Sequence, residues 1–131
     1  MIGLIKRKGF NRQTKKVLYY PRWTSRGKIT KTELAEIMAR QSTFSVGEVE
    51  GILTDFSQHI CDQLLSGKTV ELQGLGTFTL NVSGPSHENP KDLTTEGLKV
   101  SLLVKPDKSL QQRLDTESEF QFISKSTVKN K

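Results

Sequence analysis

The run from Val70 to Leu80, VELQGLGTFTL, constrains this chain more than any other stretch. Apolar residues alternate with polar ones on both sides of the two glycines, and a period of two is typical of half-buried β-strands. Gly74 and Gly76 bracket Leu75, where the chain must turn sharply and a positive φ is accessible to glycine. The run therefore predicts a strand, a glycine turn and a second strand.

Two helices are predicted immediately before this run. Thr30 with Glu33, and Ser45 with Glu48, form capping boxes in which each side chain bonds a backbone N–H of the first turn. After the second box, apolar residues recur every three or four positions over about five turns, which indicates a long amphipathic helix. Gly67 follows that helix at the position where a glycine commonly ends one.

The two ends of the chain are less regular. Residues 1–27 are expected to form an extended arm with one strand at 17–20, which Pro21 stops. Tyr19, Tyr20 and Trp23 cluster there; we expect them to dock on the domain or on a partner subunit, with stacking on bases as the alternative.

Beyond the glycine turn, residues 83–97 contain two prolines and few apolar side chains, which indicates a loop or flexible arm. A third strand is predicted at 98–104, followed by a short helix that Asp107 caps, with Leu110 and Leu114 facing inward. The polar tail from 115 onward includes one candidate edge strand at 120–123, and disorder is expected from 124 to 131.

Charge is strongly segregated along the sequence. Residues 1–32 contain ten basic side chains and no acidic one, whereas the remainder contains ten basic and fourteen acidic residues, for a net charge of +6. A solvated basic tail is one explanation, but attraction to a polyanion, most often nucleic acid, is the stronger one.

Several classes of protein are not expected. Cys61 is the single cysteine, which excludes an intrachain disulfide or a cysteine-cluster zinc site, and its helical setting predicts a small buried thiol. No phosphate-binding loop, nucleophile motif or dinucleotide fingerprint is present, so we expect neither an enzyme nor a cofactor or metal. No membrane-spanning run or signal peptide is recognisable, and a cytoplasmic location is expected.

Taken in order, these features resemble the bacterial histone-like HU and integration host factor family. The resemblance covers about residues 28–114 and rests on KTEL at 31–34, the long second helix, GKTVEL at 67–72, GLGTF at 74–78 and VKPDKSL at 104–110. The basic segment 1–27 and the polar tail 115–131 are more similar to the longer HU-related proteins of Bacteroidetes type. The implied fold is α+β: an intertwined homodimer with an N-terminal helical hairpin, a small antiparallel sheet bearing an arm, and a short C-terminal helix. The sheet predicted within residues 28–114 is too small to cover the apolar face of the long second helix, which independently favours burial of that face in a homodimer.

The resemblance also implies a function. Family members bind duplex DNA in the nucleoid, and a proline at each arm tip wedges between base pairs and bends the duplex. Asn89 and Pro90 match the tip, and four lysines match positions that face phosphates. With the basic segment added, the expected DNA-binding residues are Arg22, Arg26, Lys28, Lys31, Lys68, Asn89, Pro90, Lys91, Lys105 and Lys108.

The arm departs from the family pattern in its charge. Residues 83–97 contain Lys91 against Glu88, Asp92 and Glu96, and this net negative charge opposes entry into a minor groove. The leading hypothesis is therefore a dimeric, non-specific or weakly specific DNA-binding protein whose basic N-terminal segment supplies most of the charge. The alternative is a structural or protein-interaction module that keeps the fold and has lost arm-mediated bending.

Overall fold

A computed structural model describes residues 1–123. In chain order the elements are β1 (Ile2–Asn11), β2 (Lys16–Trp23), α1 (Lys31–Arg40), α2 (Val46–Leu65), β3 (Val70–Leu72), β4 (Gly76–Ser83), a 3₁₀ turn (Pro90–Asp92), β5 (Lys99–Pro106), α3 (Lys108–Glu117) and β6 (Phe120–Phe122). The fold is α+β, with three α-helices and two three-stranded sheets in the described part of the chain, ordered β2-β1-β6 and β3-β4-β5. Contacts group it into two units, residues 1–50 with the described residues from 114 onward, and residues 51–113. The sequence-based boundaries at 27 and 114 stay a prediction.

Both predicted helix starts are confirmed. The Thr30 hydroxyl accepts the Glu33 N–H at 3.3 Å. At α2 the box is reciprocal: the Ser45 hydroxyl accepts the Glu48 N–H at 3.1 Å, and the Glu48 carboxylate accepts the Ser45 N–H at 3.3 Å. These bonds satisfy N–H groups that have no partner within the first turn, so the sequence sets where each helix begins.

The end of α2 is also determined locally. Gly67 has φ +88°, and its N–H donates to the Leu64 carbonyl at 3.0 Å. The Lys68 N–H reaches back to the Gln63 carbonyl at 3.1 Å. This pair of bonds is the Schellman motif, which requires a left-handed residue and so favours glycine.

The β3-β4-β5 sheet confirms the strand, turn, strand prediction. Gly74 adopts φ +90° in the turn, and β4 pairs antiparallel with β3 and β5. Gly76 serves a different purpose, because a Cβ there would lie 2.4 Å from the carbonyl oxygen of Lys105 on β5. One glycine supplies the turn and the other permits the close approach of two strands.

The N-terminal segment contains more structure than the sequence predicted. Instead of an arm with one strand, β1 and β2 form a full antiparallel hairpin, with Leu4 opposite Trp23 and Asn11 opposite Lys16. The alternating pattern of β1 is hard to recognise in the sequence because two of its residues are glycines, and side chains from other residues occupy the space beside them. The Tyr20 ring lies over Gly9, and Arg26 and Ile123 lie against Gly3.

The tail returns to this hairpin. The predicted edge strand is confirmed as β6, which pairs parallel with β1 through the Ile2 N–H to the Glu119 carbonyl at 2.7 Å and the Ile123 N–H to the Leu4 carbonyl at 2.9 Å. In α3 the expected inward face is only partly formed: Leu110 is half-buried but Leu114 is 49% exposed. The disorder expected from 124 to 131 lies outside the described residues.

Little apolar surface is buried within a single chain. Among residues 1–123, only Ala35, Val49 and Leu64 are buried hydrophobic side chains. The expectation of a buried thiol is wrong for the single chain, since Cys61 is exposed. Its position among the apolar residues of α2 predicts burial, but the thiol stays accessible to solvent within the described residues 1–123.

Candidate nucleic-acid interface

Seven cations belong to the β1-β2 hairpin. They lie on both strands and in the turn: Lys6, Arg7, Lys8, Arg12, Lys15, Lys16 and Arg22. The turn is held by the Asn11 side chain, whose Oδ1 accepts N–H bonds from Gln13 at 2.9 Å and Thr14 at 3.3 Å. The hairpin therefore presents its positive charge on an ordered sheet.

Two predicted contact residues near the end of the hairpin, Arg22 and Arg26, differ in how firmly the fold holds their side chains. Arg22 is exposed on β2, opposite Ile5. Arg26 is tied into the fold, because its guanidinium donates to the Met1 carbonyl at 3.2 Å and its aliphatic stem lies against Gly3. Arg22 is accordingly the less constrained cation for a phosphate contact.

The next predicted lysines lie at helix boundaries. Lys28 is exposed in the segment before α1, and Lys31 is the first residue of that helix. Lys68 is exposed directly after α2, where its backbone N–H completes the helix end. Each boundary is set by a cap, so the cap residues position these lysines although they carry no charge themselves.

Lys105 and Lys108 lie on either side of the junction of β5 and α3. Between them, the Asp107 carboxylate accepts the Gly74 N–H at 3.2 Å and the Ser109 hydroxyl at 2.5 Å, while the Asp107 N–H donates to the Leu75 carbonyl at 3.1 Å. The hydrogen bond from Ser109, with further backbone N–H bonds including that of Gly74, lowers the pKa of Asp107 below its ordinary value of 3.8. Hydrogen bonds thus connect the glycine turn at 74–76 to the segment at 105–109.

The loop between β4 and β5 contains the three remaining predicted residues. Asn89 caps the 3₁₀ turn by accepting the Lys91 N–H at 3.0 Å, and Pro90 is the first residue of that turn. All three are exposed. Asn89 and Pro90 therefore have a local structural purpose in addition to any contact with DNA.

The sheet register separates this loop from the Lys105 junction. Ser83 pairs with Lys99 at the loop end, and Thr77 pairs with Lys105 at the other end. Six residues along an antiparallel strand span about 20 Å. The register thus places the Asn89 to Lys91 turn at the opposite end of the β4-β5 pair from Lys105.

Two sets of cations lie outside the predicted contact residues. Lys99 lies on β5 at the loop end of the sheet and is exposed. The hairpin cations other than Arg22 contribute to the basic charge of residues 1–32 but are not among the predicted contact residues. An extended arm with one strand gives these cations no fixed position. Recognising β1 as a strand would have placed them, but Gly3 and Gly9 interrupt its alternating pattern.

No helix within residues 1–123 combines the length and apolar character needed to cross a membrane.

The family model of HU domains fused to a winged helix-turn-helix, immunoglobulin or glycine-rich motif matches residues 3–121. The integration host factor β subunits of Shewanella pealeana and Shewanella baltica are each 36% identical over 91 residues, covering 66% of this chain and 96% of the relative.

Two solved structures share the fold. A putative bacterial DNA-binding protein from Bacteroides vulgatus matches with a TM-score of 0.68 at 10% identity, covering 93% of this chain, which spans only 47% of that structure. HU from Anabaena, crystallised with DNA, matches with a TM-score of 0.55 at 20% identity over 67% of this chain and 99% of that one. The family model and the integration host factor relatives together establish the assignment: the chain belongs to the bacterial histone-like HU and integration host factor family of DNA-binding proteins.

Proposed function

We propose that this protein binds duplex DNA as a homodimer, mainly through the phosphate backbone and with little or no sequence preference, and that it helps to condense DNA in the bacterial nucleoid. It needs no cofactor and carries no catalytic site for this task. The observation that carries the proposal is the segregation of charge: ten basic residues and no acidic residue in positions 1–32. Seven of these ten lie on the paired β1-β2 hairpin, so each copy of the chain carries most of its N-terminal charge on an ordered sheet.

The homodimer is supported by an apolar groove within residues 51–113. The groove has a volume of about 410 Å³ and is lined by Ser57, Ile60, Cys61, Leu64, Leu65, Phe78, Leu80 and Leu102. Leu65 and Leu102 are 78% and 56% exposed, although leucine is normally removed from water. A surface of this kind is typical of an interface, and a second copy is the occupant proposed for it.

The loop between β4 and β5 is expected to contribute less to DNA affinity than the N-terminal cations. Residues 83–97 contain one cation, Lys91, and three carboxylates, so the segment adds little attraction to phosphate. A wedge by Pro90 therefore depends on cations elsewhere bringing the duplex to the loop. Lys68, Lys105 and Lys108 are the proposed contacts of the unit that contains this loop.

The salt dependence of duplex binding tests the proposal. If about six cations meet phosphates, the logarithm of the binding constant should fall with the logarithm of salt at a slope of about −5. Replacing Arg22 and Lys28 by Gln should make the slope shallower by about one for each phosphate that is no longer neutralised. The control is Arg40→Gln, an exposed cation outside the predicted set, which should leave the slope unchanged. Absence of affinity at about 50 mM salt would refute duplex binding.

The protein-interaction alternative is not favoured by the family assignment. It makes a distinct prediction, which is recovery of one protein partner after nuclease treatment with no bound DNA. That result would replace the present proposal.

A further inference from the structure

One face of the N-terminal sheet is formed largely by aromatic rings. Cross-strand pairs and the alternation of side chains along each strand place the even residues of β1, the odd residues of β2 and the even residues of β6 on the same side. We call this the aromatic face; its members are Ile2, Leu4, Lys6, Lys8, Phe10, Val17, Tyr19, Pro21, Trp23, Phe120 and Phe122. Five of these eleven side chains are aromatic.

The rings are uncovered in this chain. Tyr19 and Trp23 are 67% and 66% exposed, and Phe10, Phe120 and Phe122 are between 53% and 62% exposed. Tyr20 is on the opposite face, where its ring lies over Gly9. The cluster identified in the sequence therefore divides: Tyr20 packs against its own sheet, whereas Tyr19 and Trp23 face outward.

Cations are interleaved with these rings. Lys6 and Lys8 lie on the aromatic face between the Trp23 and Phe10 ends, and the Lys6 Nζ lies 5.5 Å from the centroid of the Phe122 ring. None of the three strands contains an acidic residue. The face therefore combines apolar rings with a positive charge.

We propose that the aromatic face binds unpaired nucleic-acid strands, with bases stacked on Tyr19, Trp23 and Phe10 and phosphates held by Lys6 and Lys8. Exposed rings beside cations on a sheet are the combination by which single strands are bound without sequence preference. The rings are not among the duplex contacts proposed above, and stacking on them does not depend on duplex binding; Lys6 and Lys8 belong to the hairpin cations that either ligand can use.

Other occupants fit the charge less well. In a duplex the bases are stacked on each other, so rings on a flat sheet have no free base to contact. A second copy packed face to face would bring two pairs of Lys6 and Lys8 together with no carboxylate from these strands between them. An unpaired strand supplies both the ring partners and the negative charge.

Trp23 provides a direct readout because it is the only tryptophan in the chain. The full chain is titrated with an oligothymidine of about 12 nucleotides, with the same strand in duplex form, and with inorganic polyphosphate, which has charge but no bases. The oligothymidine should quench Trp23 fluorescence strongly. The duplex and polyphosphate should leave the fluorescence nearly unchanged even where competition shows that they bind.

Matched variants separate stacking from folding. Tyr19→Ala and Phe10→Ala should each weaken oligothymidine binding by about 5- to 100-fold and leave duplex binding unchanged. Tyr19→Phe should retain the affinity because the ring remains. Tyr20→Ala, on the opposite face of the same strand, is the control and should have no effect on oligothymidine binding.

Three results would overturn the inference. Polyphosphate could quench Trp23 as strongly as the oligothymidine does, or Tyr20→Ala could weaken binding as much as Tyr19→Ala. Alternatively, Trp23 emission could shift to the blue with protein concentration alone, in parallel with self-association that Tyr19→Ala abolishes; the face would then join two copies. Duplex affinity, measured in the same titrations, reports separately on the proposed duplex binding.

Discussion

At the residue scale, the glycines of the GLG motif have different physical tasks. Gly74 has φ +90°, which residues with a Cβ rarely adopt, whereas Gly76 lies within contact distance of the Lys105 backbone. The first requirement is local and is readable from the sequence. The second depends on β5, which lies about thirty positions further along the chain and reaches Gly76 only through the fold.

Gly76→Ala should therefore destabilise the protein by about 1–3 kcal/mol, because the new methyl group meets a backbone carbonyl that no rotamer change can remove. Gly51→Ala is the matched control: the site lies within α2 with open space around it, and the change should stabilise the helix by about 0.5–1 kcal/mol. Urea unfolding at one fixed protein concentration measures both. Equal stability of Gly76→Ala and the parent chain would contradict the close approach.

At the element scale, hydrogen bonds between neighbouring residues define the helix starts, whereas hydrogen bonds between distant residues define the sheet edges. Helices α1 and α2 begin at side-chain caps within three residues of sequence. Strand β1, by contrast, is completed on one edge by β6 from the far end of the chain. The junction at Asp107 is of this second kind, since it fastens the β3-β4 turn to the start of α3.

The pKa of Asp107 gives this junction a pH dependence. Because hydrogen bonds lower that pKa in the folded state, the ionised carboxylate stabilises the fold at pH values above 3.8, and the stabilisation is lost as pH falls through the lower folded value. The melting temperature of the parent chain should exceed that of Asp107→Asn at neutral pH, and the difference should shrink between about pH 5 and about pH 3. Asn keeps an oxygen to accept the Gly74 N–H but has no charge to titrate. Parallel melting curves over this range would show that the carboxylate charge contributes nothing.

At the scale of the whole molecule, the small buried core is the dominant feature. Three buried hydrophobic side chains among the described residues are too few for a stable domain of this length, and large apolar side chains remain exposed on α2, β4 and β5. The proposed homodimer accounts for both observations. It also accounts for the position of Cys61, which lines the groove and would be covered by a second copy.

Leu102→Asp should shift the protein from dimer toward monomer or prevent folding, since it places a carboxylate in the apolar groove. Sedimentation equilibrium measures the association, and circular dichroism separates dissociation from unfolding. Leu93→Asp is the control, because Leu93 is 59% exposed in the β4-β5 loop and does not line the groove. In the parent chain, the Cys61 thiol should react more slowly with a disulfide reagent as protein concentration rises. A monomeric parent chain with a concentration-independent thiol rate would contradict the dimer.

The family and the fold class could be predicted from the sequence because their signals are local and repeated. Capping boxes, the glycine at the end of α2 and the alternating residues around GLG each restrict a few consecutive residues, and together they admit few arrangements. The contact residues Lys31, Lys68, Lys105 and Lys108 follow from the resemblance and stay predictions. The positions of the hairpin cations could not be predicted, because no short motif distinguishes a cation on an extended arm from one on a paired hairpin.

The sequence by itself determined the helix boundaries, the glycine turn and the concentration of positive charge in the first quarter of the chain, because each depends on neighbouring residues alone. Only the tertiary structure decided that β1 pairs with β2 as a hairpin, that β6 completes its sheet, and that Tyr19 and Trp23 share a face with Phe120 and Phe122. The reason is that the composition of a segment does not state its strand partners. The hairpin joins neighbouring strands, but its β1 pattern is interrupted by two glycines, and the second edge of β1 is paired by β6 from the far end of the chain.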